Sequence, residues 1–219
     1  MVRNGVDSSR FAPGSGTAVR AGLGVGPDTL LIGMFASFKP VKNHAVLLKA
    51  TSQLIQRGID VQLLLAGDSV ARGSASSILE LGRLESLIAE LKLDDRVITT
   101  GHRDDPETLY RACDVTVLPS LCEGTPNVVL ESIACGVPAI VADVPGCREV
   151  ASLCPTIRTF QSGDVDHLVS VLTTVYTQRH RLVDLGRLGR DQVLLHYEES
   201  RMLDEMQTAY QEVLGQRGA

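Results

Sequence analysis

Aromatic residues are scarce in this sequence, which has no tryptophan, four phenylalanines and four tyrosines among 219 residues. So few rings leave little material for the stacking platforms on which single-stranded nucleic acids are bound. Lysine and arginine form no dense cluster, and the formal net charge is −5. Affinity for nucleic acids depends on neutralising phosphates, so we expect no nucleic-acid partner.

Long apolar runs are also missing, since no stretch approaches the roughly 20 apolar residues of a membrane span. The first residues, MVRNGVDSSRFAPGSG, lack the apolar core of a signal peptide, so we expect a soluble, cytoplasmic chain. The five cysteines form no C-x-x-C pair. We interpret them as reduced thiols in preference to a zinc site, and we expect no metal.

Five short runs of apolar and β-branched residues predict strands. They are TLLIGMF (29–35), VQLLLAG (61–67), RVITTG (96–101), DVTVLPS (114–120) and PAIVAD (138–143). Nearly continuous apolar runs of this length are typical of parallel strands that are buried on both faces.

Segments with helical periodicity lie between these runs. They are NHAVLLKATSQLIQRG (43–58), with Gly58 expected to end the helix, LGRLESLIAELKL (81–93), PETLYRAC (106–113) and PNVVLESIAC (126–135). From about residue 164 the periodicity is helical to the end, with a break near HYEESR (196–201). The alternation predicts an α/β fold, a Rossmann-like, doubly wound parallel sheet with C-terminal helices. Ligands of such sheets bind in the loops at the carboxyl ends of the strands.

Two glycine-rich segments do not qualify as phosphate loops. GLGVG (22–26) precedes the first strand, and GDSVARG (67–73) has neither the spacing nor the lysine of a P-loop. The junction ASFKPVKNH (36–44) is a better anion site. Asn43 is expected to cap a helix whose N-terminus is partly positive, and Lys42 and Lys39 beside it would repel that end unless an anion binds. The alternative is that both lysines are simply solvated.

A second anion site is predicted in CEGTPNVVLE (122–131). Thr125 suits the N-cap and Pro126 the first helical position, which would leave the amides of Asn127 and Val128 free for a ligand. Gly124 would let the backbone approach that ligand closely.

Two acids flank this second junction, Glu123 and Glu131. Glu131 is the only charged residue in an apolar helix, so its carboxylate needs a hydrogen-bond partner. Carboxylates accept well from hydroxyl groups, and two acids beside an anion site suit a nucleoside diphosphate sugar. The alternative is a salt bridge from Glu131 to Arg111 or Arg148, with Glu123 at the surface.

The motifs together resemble the retaining GT-B glycosyltransferases of the group 1, or family 4, class. The segments that carry the resemblance, in family order, are NGVDSSRFAP (4–13), GMFASFKPVKNH (33–44), LLLAGDS (63–69), DRVITTGHRDDPETLYRACDVTVLPS (95–120), EGTPNVVLE (123–131) and GVPAIVADVPGCREV (136–150). The resemblance implies one half of a GT-B fold, with catalytic roles for Lys42 at the donor diphosphate and Glu123 at the transferred sugar. It implies donor contacts from Ser37, Lys39, Gly101, His102, Gly124, Thr125, Pro126, Asn127, Val128 and Glu131. Gly101 and His102 would lie near the base and Glu131 at the ribose, while Ser37 stands where the family commonly has an arginine.

The resemblance also implies an organisation. Residues 1–28 would lead in from an acceptor domain that this sequence lacks, residues 29–163 would bind the donor, and residues 164–219 would pack on it as helices. The expected activity is transfer of a hexosyl group, with retention and without a metal, in polysaccharide biosynthesis. The acceptor is left open among a lipid-linked molecule, a polysaccharide and a small molecule, and transfer would need the acceptor domain in cis or in trans. The full-length parent could be peripheral at the inner face of a membrane. The alternatives are a non-catalytic nucleotide-sugar module, a subunit of a split enzyme, or a GT-B sugar-nucleotide epimerase.

Overall fold

A sheet of six parallel strands forms the centre of the computed structural model, which describes residues 3–67 and 75–216. The strands are Leu30–Phe35 (β1), Val61–Ala66 (β2), Val97–Gly101 (β3), Val115–Leu118 (β4), Ala139–Ala142 (β5) and Arg158–Phe160 (β6), in the spatial order β3-β2-β1-β4-β5-β6. This order confirms the predicted Rossmann-like, doubly wound sheet. The last residues of LLLAGDS and nearly all of GDSVARG lie outside the described residues.

The strand order reverses at the centre of the sheet, between β1 and β4. β1 pairs with β2 along its whole length, from Leu30 opposite Val61 to Phe35 opposite Ala66, and it pairs with β4 on its other side. All the residues of β1, β4 and β5 are buried, as their apolar sequences predict. A crevice for ligands forms at the carboxyl edge where such an order reverses, so the loops after β1 and β4 are expected to line the ligand site.

Two strand predictions need correction. β4 ends at Leu118, two residues earlier than the sequence predicts, because the following Pro119 has no amide to donate to a ladder. β6 is not predicted at all. It has only three residues, of which Phe160 alone is buried, so it carries too short an apolar signal.

Nine α-helices surround the sheet within the described ranges 3–67 and 75–216. They are Thr17–Gly22 (α1), His44–Gln56 (α2), Ala75–Glu90 (α3), Pro106–Ala112 (α4), Asn127–Ala134 (α5), Pro145–Leu153 (α6), Val165–Thr177 (α7), Leu182–Tyr197 (α8) and Glu199–Gln216 (α9). The sequence does not predict α1, which buries none of its residues, or α6, which buries only Cys147 and Val150. Gly58 has a φ of 78° and follows Arg57, the C-cap residue of α2, which confirms the predicted terminating glycine.

Two of the C-terminal helices pack against helices that flank the sheet. α7 lies against α2, and α8 lies against α5, so closely that a Cβ added to Gly186 would lie within 2 Å of the Gly136 carbonyl oxygen. The break between α8 and α9 falls at Glu198. Here Val6 of the N-terminal segment donates to the Tyr197 carbonyl at 2.8 Å. No helix in the described part of the chain is both long and apolar enough to cross a membrane.

Candidate functional site

The loops after β1 and β4 meet at the carboxyl edge of the sheet. The amide of Leu121 in the second loop donates to the carbonyl of Val41 in the first, with N and O 2.8 Å apart. Since β1 and β4 are neighbours in the sheet, this bond brings the two predicted anion sites together in space.

Lys42 and Glu123 form an ion pair across this meeting point. Lys42 Nζ donates to Glu123 Oε1 at 2.6 Å, and the two side chains are 23% and 11% exposed. The sequence predicts that each of them faces a ligand, but it does not predict that they contact one another. A short, largely buried pair is stronger than a surface salt bridge, so it holds both loops in place.

The backbone at Asn43 fixes where Lys42 stands. Asn43 occupies the predicted N-cap position of α2, but it has a left-handed conformation (φ 54°, ψ 44°) and its side chain makes no capping hydrogen bond. The prediction of the position is therefore right and that of the capping bond is wrong. Asparagine is tolerated here because it adopts the left-handed region more readily than most residues.

We expect Asn43→Ala to lower the free energy of unfolding by about 1 kcal/mol, because alanine pays the full steric cost of the left-handed backbone. Asn43→Gly should change it by only a few tenths of that amount, since glycine has no such cost. Urea unfolding of the two variants measures the difference. Equal losses in both would mean that the amide side chain, and not the backbone, stabilises this turn.

His44, the first residue of α2, is part of the core. It is buried and stacks on Phe38 with ring centroids 5.0 Å apart. Burial, together with the charge of Lys42, lowers the pKa of the imidazole to about 4, so the ring is neutral near pH 7. It adds no charge to the site.

The helix of the second junction begins one residue later than predicted. Pro126, and not Thr125, is the N-cap residue of α5, because the Pro126 carbonyl accepts the first bond of the helix, from the Val129 amide at 3.0 Å. The amides of Asn127 and Val128 precede that bond and stand at the N-terminus of α5, where the sequence places them. Such amides and the helix dipole suit an anion.

Gly146 packs against the loop that precedes α5. It lies in the first turn of α6, and its backbone packs directly on the backbone of Glu123 and Gly124. A Cβ added to Gly146 would fall within 3 Å of both of their carbonyl oxygens. Only glycine lets α6 approach the loop so closely.

Glu131 is held by a tyrosine and not by an arginine. The hydroxyl of Tyr110 donates to Glu131 Oε2 at 2.9 Å. The two arginines of the alternative interpretation bond elsewhere. Arg111 donates to the Ala12 carbonyl at 2.7 Å, and Arg148 pairs with Asp143 at 2.7 Å.

The pKa of Glu131 reflects its position at the edge of the core. Burial raises the pKa of this carboxyl above its ordinary value, and the bond from Tyr110 and the charge of Arg10 oppose the rise. The carboxylate is thus partly desolvated while it is also held by a neutral donor. A carboxylate in this state is suited to accept hydrogen bonds from the hydroxyl groups of a ligand that displaces water from it.

A cavity of about 300 Å³ opens beside Glu131 at the carboxyl ends of β1, β2 and β3. It brings together five of the predicted site residues, namely Ser37, Gly101, His102, Val128 and Glu131. A second cavity, of about 280 Å³, contains Asn127 and again Glu131. In the described part of the chain, Lys39, Lys42, Glu123, Gly124, Thr125 and Pro126 line neither cavity.

Among the residues that line the first cavity, two with polar side chains are absent from the sequence-based set. Tyr110 projects from α4 and Arg103 from the loop after β3. The sequence indicates Tyr110 only indirectly. The Glu131 carboxylate, in an apolar helix, requires a hydrogen-bond donor, but arginines are candidates for that donor as well. Arg103 is paired with Asp105 at 2.8 Å.

The cavity of about 450 Å³ at the opposite edge of the sheet does not belong to this site. Its walls include Asp114, next to the start of β4, and Gly136 and Pro138, just before β5. These are the amino ends of the strands, where sheets of this kind do not bind their ligands.

Comparison with known proteins agrees with this geometry. The profile of the family described as "Glycosyl transferases group 1" matches residues 17–192. EpsF of Bacillus subtilis, which is named as a glycosyltransferase, is 40% identical over 145 residues, and the match covers 65% of this chain and 35% of EpsF. The chain thus spans about a third of the length of this relative.

Solved structures share the fold. Sucrose-phosphate synthase from Thermosynechococcus elongatus superposes with a TM-score of 0.88 at 26% identity, over 98% of this chain and 52% of that one. HepE from Anabaena, in a complex with UDP and glucose, superposes with a TM-score of 0.87 at 21% identity, over 96% of this chain and 56% of that one. With the family match over residues 17–192, the conclusion is plain: this chain belongs to the group 1 glycosyltransferases and has the fold of their C-terminal domain.

Proposed function

We propose that this chain binds a nucleoside diphosphate sugar and forms the donor half of an enzyme that transfers the sugar to an acceptor. The observation that carries the proposal is the placement of Lys42, the N-terminus of α5 and Glu131 along one edge of the sheet. A cation, free amides and a hydroxyl acceptor in that arrangement match a diphosphate joined to a ribose.

The nucleoside occupies the cavity beside Glu131 in this proposal. The base lies against Gly101 and His102, which line that cavity, and the ribose hydroxyls donate to Glu131. Ser37, at the same cavity, offers a hydroxyl toward the phosphates in place of the arginine that the family commonly has there.

The diphosphate takes its charge compensation from Lys42 and from the amides of Asn127 and Val128. As the bond to the sugar breaks, negative charge grows on the departing phosphate, and fixed donors stabilise that charge without having to reorganise. Lys39 adds a second positive charge from its exposed position. We therefore propose transfer without a metal ion.

Glu123 has a double role in the proposal. It holds Lys42 in the free protein, and it accepts hydroxyls of the transferred sugar once the diphosphate engages the lysine. The loop backbone that holds this acid in position continues through Gly124, Thr125 and Pro126. Transfer would retain the configuration of the sugar, which NMR of the product would establish from its anomeric coupling.

The acceptor side of the reaction lies outside this chain in our proposal. The chain spans about a third of EpsF, and a second domain would supply the acceptor surface in cis or in trans. A chain that binds the donor tightly and hydrolyses it at no measurable rate would support the binding-module interpretation instead.

We place the chain in the cytoplasm on the basis of its cysteines. Four of them, Cys113, Cys135, Cys147 and Cys154, are buried and unpaired. Burial raises the pKa of the Cys135 and Cys147 thiols to about 12, so both stay protonated and inert. Unpaired buried thiols suit a reducing compartment.

A thermal-shift titration with UDP, GDP and ADP tests the donor site. We expect one nucleotide to stabilise the protein selectively, and we propose UDP because structures of the similar HepE are complexes with UDP, UDP-glucose, or UDP and glucose. At about a hundredfold excess over its dissociation constant the ligand should add ~2.7 kcal/mol. No shift with any of the three nucleotides would overturn the proposed function of this chain.

A further inference from the structure

We infer that Tyr110 is a positioning residue for the donor site, which orients the Glu131 carboxylate so that one of its oxygens remains available to the ribose. The inference rests on the proposed function, because it assigns Tyr110 to the ribose subsite of the same donor. It adds a residue that neither the motifs nor the resemblance identifies.

The ring of Tyr110 is locked in place. The residue is 1% exposed, and its ring stacks on Phe35 at a centroid distance of 3.8 Å and meets Phe11 edge-on at 6.1 Å. Phe35 ends β1, so the sheet itself fixes one face of the ring. A side chain with so few rotamers gives its hydroxyl a fixed position.

Within the described ranges the hydroxyl has one partner, Glu131 Oε2 at 2.9 Å. Burial and the nearby carboxylate raise the pKa of Tyr110 well above its ordinary value, so the phenol keeps its proton and acts as the donor. Oε1 of Glu131 has no hydrogen-bond partner among the described residues. Glu131 also lines both cavities of the site, so the bond from Tyr110 leaves the second oxygen for the ligand.

The charges around Glu131 set its titration. Arg10 lowers the pKa of Glu131 and Glu107 raises it, while burial raises it most. Cys135, on the same helix side, remains a neutral thiol because burial raises its pKa to about 12. The bond from Tyr110 favours the ionised carboxylate against burial. An ionised Glu131 is the form that accepts from two ribose hydroxyls.

The test compares Tyr110→Phe with wild type, using UDP and 2′,3′-dideoxy-UDP in calorimetric titrations. We expect the variant to bind UDP about tenfold more weakly and to bind the dideoxy nucleotide with unchanged affinity, because only the ribose hydroxyls report the orientation of Glu131. Tyr197→Phe is the matched control. Tyr197 is also 1% exposed, its hydroxyl has no partner among the described residues, and we expect its loss to leave both affinities unchanged.

A second readout needs no ligand. NMR titration of the Glu131 carboxyl should show a higher pKa in Tyr110→Phe than in wild type, since the bond that favours the ionised form is gone. Binding of UDP to the variant should accordingly be lost at a higher pH as the solution is acidified. An unchanged pKa would overturn the inference even if the variant bound UDP poorly.

The outcomes separate the two proposals. If wild type binds UDP but Tyr110→Phe loses affinity for both nucleotides equally, the tyrosine is structural and the inference fails alone. It also fails alone if neither affinity changes. If wild type binds no nucleotide, the proposed function fails and the inference fails with it.

Discussion

Lys42→Ala is expected to weaken the binding of UDP on the order of 100-fold. A charge-assisted hydrogen bond to a phosphate contributes about 1.5–3 kcal/mol, and the variant loses that bond. It also leaves Glu123, whose side chain is 11% exposed, as an unpaired negative charge facing the diphosphate. Calorimetric titration at constant ionic strength measures the change.

Lys49→Ala provides the control for Lys42→Ala. Lys49 is an exposed lysine of the same helix, α2, so its loss changes the net charge by the same amount without touching the ion pair. We expect its affinity for UDP to stay within about twofold of wild type, since exposed charges are screened by salt. If both variants bind alike, Lys42 acts only through net charge and does not contact the donor.

Gly146→Ala is expected to destabilise the fold by about 2 kcal/mol and to impair the donor site. The new methyl would overlap the carbonyl oxygens of Glu123 and Gly124, and overpacking of this kind costs about 1–3 kcal/mol. The loop has to move, and the movement separates Glu123 from Lys42. Urea unfolding gives the first effect and UDP titration the second.

The same substitution at Gly82 should have the opposite sign. Gly82 lies inside α3 and a Cβ there would meet nothing within 4 Å. Alanine is the better helix former by ~0.5–1 kcal/mol, so Gly82→Ala should be more stable than wild type. A Gly146→Ala variant as stable as Gly82→Ala would show that the contact between α6 and the Glu123 loop is loose.

Most of the sheet could be predicted because its strands give a strong hydrophobic signal in the sequence. Runs such as TLLIGMF and VQLLLAG are almost continuously apolar, and the sheet buries nearly every residue of them. β6 could not be predicted, since an edge strand of three residues with one buried side chain has no period to detect.

The membership of the site could be predicted in part, but the contacts within it could not. Ser37, Gly101, His102, Val128 and Glu131 share one cavity because they follow strands that end at the same edge. The pairing of Lys42 with Glu123 joins residues 81 positions apart, and no local pattern encodes it.

The tyrosine shows a different limit. A buried carboxylate requires a donor, but the choice between Tyr110 and the two arginines depends on side-chain directions that only the packed structure fixes. The N-cap of α5 is a similar case, since the sequence rules favour Thr125, whereas the first hydrogen bond of the helix places the cap at Pro126.

The ion pair at the carboxyl edge has a consequence for the kinetics of association. At a distance of about one Debye length, Lys42 and Glu123 at 2.6 Å act as a dipole whose field falls off much faster than that of a free lysine. An approaching diphosphate is therefore steered little by this lysine until it reaches the crevice, and the attraction develops only as the pair opens. Lys42 therefore lowers the dissociation rate of the donor more than it raises the association rate.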